Sequence, residues 1–199
     1  VAAICVYCAS STSIQASYVD LAYAAGTELA ARGHSLVSGG GRVSMMGAVG
    51  VAARAGGART IGVIPEALSS REIADFDSDE LIVTTGMRER KAAMDDRADA
   101  FLGLPGGIGT LEEVFEIWTS RSLGMHAKPV VLLNVGGFYD GLLNWLRELA
   151  GSAFVRPEAL ALLTVVDSVP AAFDAIEDGL RHASVVEAGP SAPVRIKPE

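Results

Sequence analysis

Short apolar runs alternate with longer amphipathic stretches along most of the chain. Residues 2–8 form a continuous apolar run, which suits a strand buried on both faces. Residues 14–32 carry apolar positions at helical spacing and stop at Gly33, a natural end for a helix. A strand over 35–38 ends at Gly39-Gly40-Gly41, and a helix over 44–55 closes at Gly56-Gly57. A third strand, 60–64, is stopped by Pro65. Residues 66–80 are polar and read as a solvated connection. Beyond it the pattern predicts a strand over 80–84, a helix over 87–97 and a strand over 100–104. A helix over 110–123, a strand over 129–135 and a helix over 139–150 follow. A weaker set closes the pattern: helix 157–163, strand 164–166 and helix 170–182. Residues 1–183 thus read as one domain. Residues 184–199, rich in Pro, Ala and Ser towards the end, read as a disordered tail.

Strands separated by helices of this length imply parallel βαβ units with right-handed crossovers. The expected fold is α/β, a Rossmann-like doubly wound parallel sheet of about seven strands flanked by helices. Ligands of such sheets bind beyond the carboxyl ends of the strands, which tells where chemistry should lie.

Composition narrows the function. Of 199 residues 50% are hydrophobic, enough for a sizeable core, so wholesale disorder is excluded. Acidic residues outnumber basic ones 24 to 16, for a net charge of −8. Such a surface repels nucleic-acid phosphates, so no nucleic-acid partner is expected. Much of the excess lies in Glu66, Glu72, Asp75, Asp77, Asp79 and Glu80, opposed locally by Arg71 alone. Cys5 and Cys8 sit on one apolar run, and His34, His126 and His182 are scattered. A structural zinc needs four ligands, so no metal site is expected, and the thiols read as small apolar groups of a reduced cytoplasmic protein. No apolar run approaches the roughly 18 residues of a membrane span. The first residues read as a strand rather than a signal peptide.

Two glycine clusters stand at predicted strand ends. The first is Ser38-Gly39-Gly40-Gly41-Arg42, with Met46-Gly47 opening the next helix. The second is Pro105-Gly106-Gly107-Ile108-Gly109-Thr110-Leu111-Glu112-Glu113. Glycine admits a ligand where a Cβ would stand, and the helix that follows offers free N–H groups and the positive end of its dipole. Each cluster is therefore a candidate phosphate cradle, with Thr110 as a cap or a phosphate ligand. The first is equally compatible with a tight turn. Neither is a Walker loop, since no Gly-Lys-Ser/Thr follows. In the preceding helix Arg90 and Lys91 lie near the amino end, where cations oppose the dipole. That conflict suggests that they answer to a carboxylate or a ligand phosphate.

The pair MxxRKxxM (Met87–Met94) and PGGxGTxxE (Pro105–Glu113) resembles the LOG (Lonely Guy) family. Its members are nucleoside 5′-monophosphate phosphoribohydrolases that activate cytokinins, formerly described as possible lysine decarboxylases. The resemblance runs over about residues 3–180. It includes Cys8-Ala9-Ser10-Ser11, the Ser-Gly-Gly-Gly turn and Lys128-Pro129, with Ala9 standing where the family often has Gly. It implies hydrolysis of the N-glycosidic bond of an N6-modified AMP, with no metal or organic cofactor. It also implies a catalytic pair, Arg90 and Glu113. Substrate contacts would fall on Glu72, Lys91, Gly107, Gly109, Thr110, Glu112 and Thr119. Gly106 belongs to the same loop, and Ser38, Gly39, Gly40 and Gly47 join the list from the first cluster. The family is dimeric, with a site partly shared between subunits. Two other readings stay open: a non-catalytic nucleotide-binding or carrier protein on this fold, and a hydrolase of plain AMP. A pyridoxal-phosphate enzyme fits poorly, because the chain has only Lys91, Lys128 and Lys197 to offer.

Overall fold

The computed structural model describes residues 1–69 and 73–187, the last four by their backbone alone. Seven strands form one parallel sheet: β1 (Ala3–Tyr7), β2 (Ser35–Ser38), β3 (Thr60–Pro65), β4 (Glu80–Thr84), β5 (Ala100–Gly103), β6 (Val130–Leu133) and β7 (Leu163–Val166). Their order is β4-β3-β2-β1-β5-β6-β7, and every pairing is parallel. The helices are α1 (Ala16–Ala31), α2 (Ser44–Ala55), α3 (Glu66–Leu68), α4 (Met87–Arg97), α5 (Ile108–Ser122), α6 (Asp140–Gly151), α7 (Pro157–Ala161) and α8 (Val169–Glu187). The doubly wound α/β fold expected from the hydrophobic pattern is the one observed.

Strand residues alternate between two cores, as a period of two requires. Ile4, Val6, Leu36, Leu102, Val131 and Leu133 meet Leu29 of α1, Val49 of α2 and Phe173 of α8. Cys5, Tyr7, Val37, Val63, Phe101 and Leu132 face the other way, onto Met94 of α4, Val114 and Trp118 of α5, and Leu146 of α6. α1 and α2 pack closely because Gly26 has no side chain; a Cβ there would overlap the carbonyl of Val49.

Three expectations change. The connection over 66–80 is more than a solvated loop. It opens with α3, Gly41 bridges to Ala74, and Asp75 is buried in an ion pair with Arg54 at 2.8 Å. Asp79 accepts bonds from the backbone N–H and the hydroxyl of Thr60, at 2.7 and 3.0 Å, and so ties the connection to β3. The second change is at α5, which begins two residues before the position expected from Thr110. The third is at α8, which continues four residues beyond 183. The remainder of the expected tail, 188–199, lies outside the described residues, as does Glu72.

Candidate active site

β1 and β5 are neighbours, and the chain builds the sheet outward from them in opposite directions. This is the topological switch point, where the loops after the two strands part and leave a crevice. Residues 8–11 follow β1 there, and residues 104–107 follow β5. The N–H of Ala9 donates to the carbonyl of Pro105 at 3.3 Å and ties the two loops together. Between them opens a cleft of about 290 Å³. Cys8 to Ser11, Met46, Met87, Arg90, Gly107 to Thr110, Glu112 and Glu113 line it.

One wall is the amino end of α5. Its N-cap is Gly107, and no side chain caps the helix. The first-turn N–H groups of a helix have no partner within it, so these point towards the cleft with the positive end of the dipole. Gly107 and Gly109 have no other atom within 4 Å of where a Cβ would stand, so a ligand can reach that backbone. Thr110 is not the cap expected of it. It is the third residue of the helix, buried at 4% exposure, and it packs where a Cβ on Gly106 would lie. The second glycine cluster therefore divides. Gly106 makes room for Thr110, while Gly107 and Gly109 face the cleft.

The opposite wall is Arg90, from the first turn of α4. The cationic conflict at this helix start is resolved by its neighbours. Glu89 reaches back to the N–H and hydroxyl of Thr85, at 2.8 and 2.7 Å, and places an anion at the helix start. Arg90 turns inward and is buried at 8% exposure. Its Nε donates to the carbonyl of Val63 at 3.1 Å and its Nη2 to the carbonyl of Gly39 at 3.4 Å. Nη1 is left facing Glu113 Oε1 at 3.7 Å, close enough for strong attraction and too far for a direct hydrogen bond. A cation so fixed cannot collapse onto the carboxylate.

Glu113 is the second residue of interest. α5 begins at Ile108, so Glu113 sits in its second turn, not the first, and the helix dipole does not account for it. Its side chain is 12% exposed. Burial raises its pKa from the ordinary 4.5 to about 7; Arg90 pulls it down, and Glu112 pushes it up. Glu112 also lines the cleft, but it is ion-paired with Lys91, which bonds Glu116 as well at 2.5 Å. Those two carboxylates hold the Lys91 ammonium above its ordinary pKa. Of the two adjacent glutamates, Glu113 alone combines burial with a cation held at arm's length.

The other residues expected at the site fall elsewhere. Lys91 does not line the cleft; it stands behind Glu113 and binds α4 to α5. Ser38 and Gly40 serve the turn itself, since Ser38 Oγ accepts from the N–H of Gly40 at 3.3 Å. Gly40 has φ +69°, a left-handed conformation that favours glycine. Gly39 makes room for Arg90, because a Cβ there would overlap Nη2. Gly47 lets α2 approach the carbonyl of Arg42. The first cluster thus holds the Arg90 guanidinium in place. Thr119 faces a separate apolar cleft of about 370 Å³, formed with Phe115, Trp118, Trp145 and Phe154. Met46, Met87 and Ser10, which the sequence motifs contain but which sequence reasoning does not assign to the site, line the cleft; Met46 Sδ accepts the N–H of Gly41 at 3.3 Å. The first methionine of MxxRKxxM was the available signal for Met87.

Cys8 reaches the cleft, but burial pushes its thiol up to about 12, so it is no thiolate nucleophile at neutral pH. Among the described residues, no three His, Cys, Asp or Glu side chains converge as metal ligands. Among the same residues, no helix is long and apolar enough to cross a membrane.

A family model described as possible lysine decarboxylase matches residues 46–176. A Mycobacterium marinum protein named cytokinin riboside 5′-monophosphate phosphoribohydrolase is 51% identical over 176 residues, which cover 88% of this chain and 94% of that protein. A Mycobacterium tuberculosis protein of the same name is 52% identical, over 83% of this chain and 88% of its own. The rice protein named cytokinin riboside 5′-monophosphate phosphoribohydrolase LOG is 47% identical, over 80% of this chain and 66% of its own. Among solved structures, the Moco carrier protein of Chlamydomonas reinhardtii superposes with a TM-score of 0.70 at 22% identity, covering 91% of this chain and 98% of that one. That likeness shows a shared fold. With two catalytic-type side chains converging at the switch point and relatives of this identity along nearly the whole chain, the protein belongs to the LOG family of phosphoribohydrolases.

Proposed function

We propose that this chain hydrolyses the N-glycosidic bond of a nucleoside 5′-monophosphate, with an N6-modified adenosine monophosphate as substrate and free base and ribose 5-phosphate as products. The observation that carries this reading is the buried Arg90–Glu113 pair, 3.7 Å apart, beside the uncapped amino end of α5. The open N–H groups at Gly107, Gly109 and Thr110 bind the 5′-phosphate and anchor the ribose over Glu113. Cleavage builds positive charge on C1′ and O4′. The Glu113 carboxylate stabilises that charge and orients or deprotonates the attacking water. With a pKa of about 7 it is a competent base at neutral pH, where an ordinary glutamate is a poor one. Arg90 bonds the substrate and helps the departing base carry its electron pair. Met46 and Met87 supply polarisable apolar surface beside the pair, suited to a base.

The lysines do not fit pyridoxal phosphate. A Schiff-base lysine needs a depressed pKa, and that of Lys91 is raised by Glu112 and Glu116. Lys128 bonds Asp95 at 3.0 Å, and Lys197 lies outside the described residues.

The exposed apolar cleft bearing Thr119, with Trp145 at 53% and Phe154 at 82% exposure, supports a homodimer in which each subunit completes the other's site.

The test is incubation with AMP, N6-isopentenyl-AMP and the two parent nucleosides, with free base followed by chromatography. Base should leave the modified monophosphate fastest and neither nucleoside. Release from nucleosides alone would contradict the phosphate anchor. Tight binding of both nucleotides without release would make the chain a binding protein.

A further inference from the structure

Glu113 borders two cavities. In front is the cleft just described. Behind it, between α4 and α5, lies a smaller chamber of about 190 Å³. Glu113, Lys91, Asp95, Glu116, Ser120 and Tyr7 face this chamber. Its volume exceeds several times the roughly 30 Å³ that one water occupies in the liquid, and its walls supply the two to four polar partners each water needs. Arg88 and Ala92 of α4, both exposed at the surface, also line it.

We infer that this rear chamber is a water-filled proton exit for Glu113, which lets the carboxylate exchange protons with solvent while substrate closes the front cleft. The inference rests on the proposed hydrolysis. In that reaction the attacking water loses a proton to Glu113 as its oxygen bonds C1′. The C1′–N bond breaks, and its electron pair leaves with the base. The proton on Glu113 must then depart before the next turnover, and solvent returns one to the base. With nucleotide over Gly107 and Gly109, the front route is blocked. The rear route passes from Glu113 to waters held by Ser120, Lys91 and Glu116.

The charged and titratable groups around Glu113 fit this role. Arg90 and Lys91 of α4 attract its charge, whereas Glu112 and Glu116 of α5 repel it. Asp95 lies further along α4. The Tyr7 hydroxyl and the Cys5 thiol on β1, and the Cys8 thiol just past it, are all buried with raised pKa values. They stay neutral and do not accept the proton. The exit therefore runs along the α4–α5 side. Lys91 is a positioning residue there, since its ion pairs with Glu112 and Glu116 hold the chamber walls.

Filling the chamber tests the inference. Ser120→Leu and, independently, Ala92→Leu narrow it from opposite walls without touching the front cleft. Each should lower kcat about five- to twentyfold, leave KM for N6-isopentenyl-AMP within twofold and raise the solvent deuterium isotope effect on kcat. Binding of ribose 5-phosphate, measured calorimetrically, should stay within twofold, which also reports an intact fold. Unchanged kcat in both folded variants would overturn the inference while leaving the proposed function standing. A rise in KM with kcat preserved would also overturn it, because the chamber would then hold part of the substrate. If the unaltered protein releases no base from any nucleotide, the proposed function falls and this inference falls with it.

Discussion

Glu113 is a carboxylate held at the edge of ionisation, and this has consequences for stability as well as for turnover. In the unfolded chain it titrates near 4.5, and in the fold near 7. Between those values the native state binds more protons than the unfolded one, so this group's contribution to stability falls as pH rises through the window. Glu113→Gln removes the cost of the buried charge. The variant should gain stability relative to the unaltered protein between pH 5 and pH 7, by about 2 kcal/mol, with the gap levelling off about one pH unit higher. Urea denaturation across that range measures it, and a gap independent of pH would refute the assignment. As the proposed base, Glu113 should make kcat/KM rise through pH 7 and level off, and Glu113→Gln should release no base at any pH. Arg90 needs a gentler change than truncation. Arg90→Ala would strand the carbonyls of Val63 and Gly39 as well as remove the cation, at a cost of about 1–3 kcal/mol each if they stay dry.

At the scale of elements, the two glycine loops look alike in sequence and do different work. Gly39 and Gly106 are occupied by protein side chains, those of Arg90 and Thr110, whereas Gly107 and Gly109 face open space. Gly107→Ala should therefore leave the thermal midpoint within about 2 °C and weaken ribose 5-phosphate binding. Gly39→Ala should displace Arg90 and lower kcat at least tenfold, although Gly39 does not line the cleft. Melting curves and steady-state kinetics on the two variants make the comparison. The buried Asp75–Arg54 pair makes a third case. Asp75→Ala leaves a half-buried guanidinium without its anion and should cost about 3 kcal/mol in denaturant titrations. Sequence patterning located every strand and nearly every helix, because burial on one or two faces imposes a period that survives in the residue order. It located the Arg90 and Glu113 helices for the same reason. It did not separate the jobs of the glycines, since what a missing Cβ makes room for is decided by residues far along the chain. Arg90 lies 51 positions from Gly39. It also misplaced the start of α5, because a threonine after glycines has the look of a cap. The burial of Asp75 was hidden for a similar reason, since its partner Arg54 comes from α2.

At the scale of the whole molecule, the acidic surface and the apolar patch pull in different directions. A net charge of −8 keeps copies apart at long range, and the Trp145–Phe154 cleft is the surface on which the proposed dimer would join. Trp145→Glu should convert the proposed dimer to a monomer in analytical ultracentrifugation and lower kcat/KM if Thr119 serves the neighbouring site. A dimer that persists through this change would mean that another face is used.

The path of α4 bears on how the site comes into being. β4 lies at one edge of the sheet and β5 beyond β1, so α4 must cross β3, β2 and β1 to join them, and it delivers Arg90 on the way. Its guanidinium bonds to Gly39, just past β2, and to Val63 within β3, so it cannot settle until those strands have paired. Long-range closures of this kind come late along a folding route. Arg90 and Glu113 should therefore meet after the rate-limiting barrier. Substitutions at either position should change the speed of unfolding far more than that of folding. The Arg90–Glu113 pair would then be among the last contacts made and the first released, and loss of activity would precede loss of the sheet.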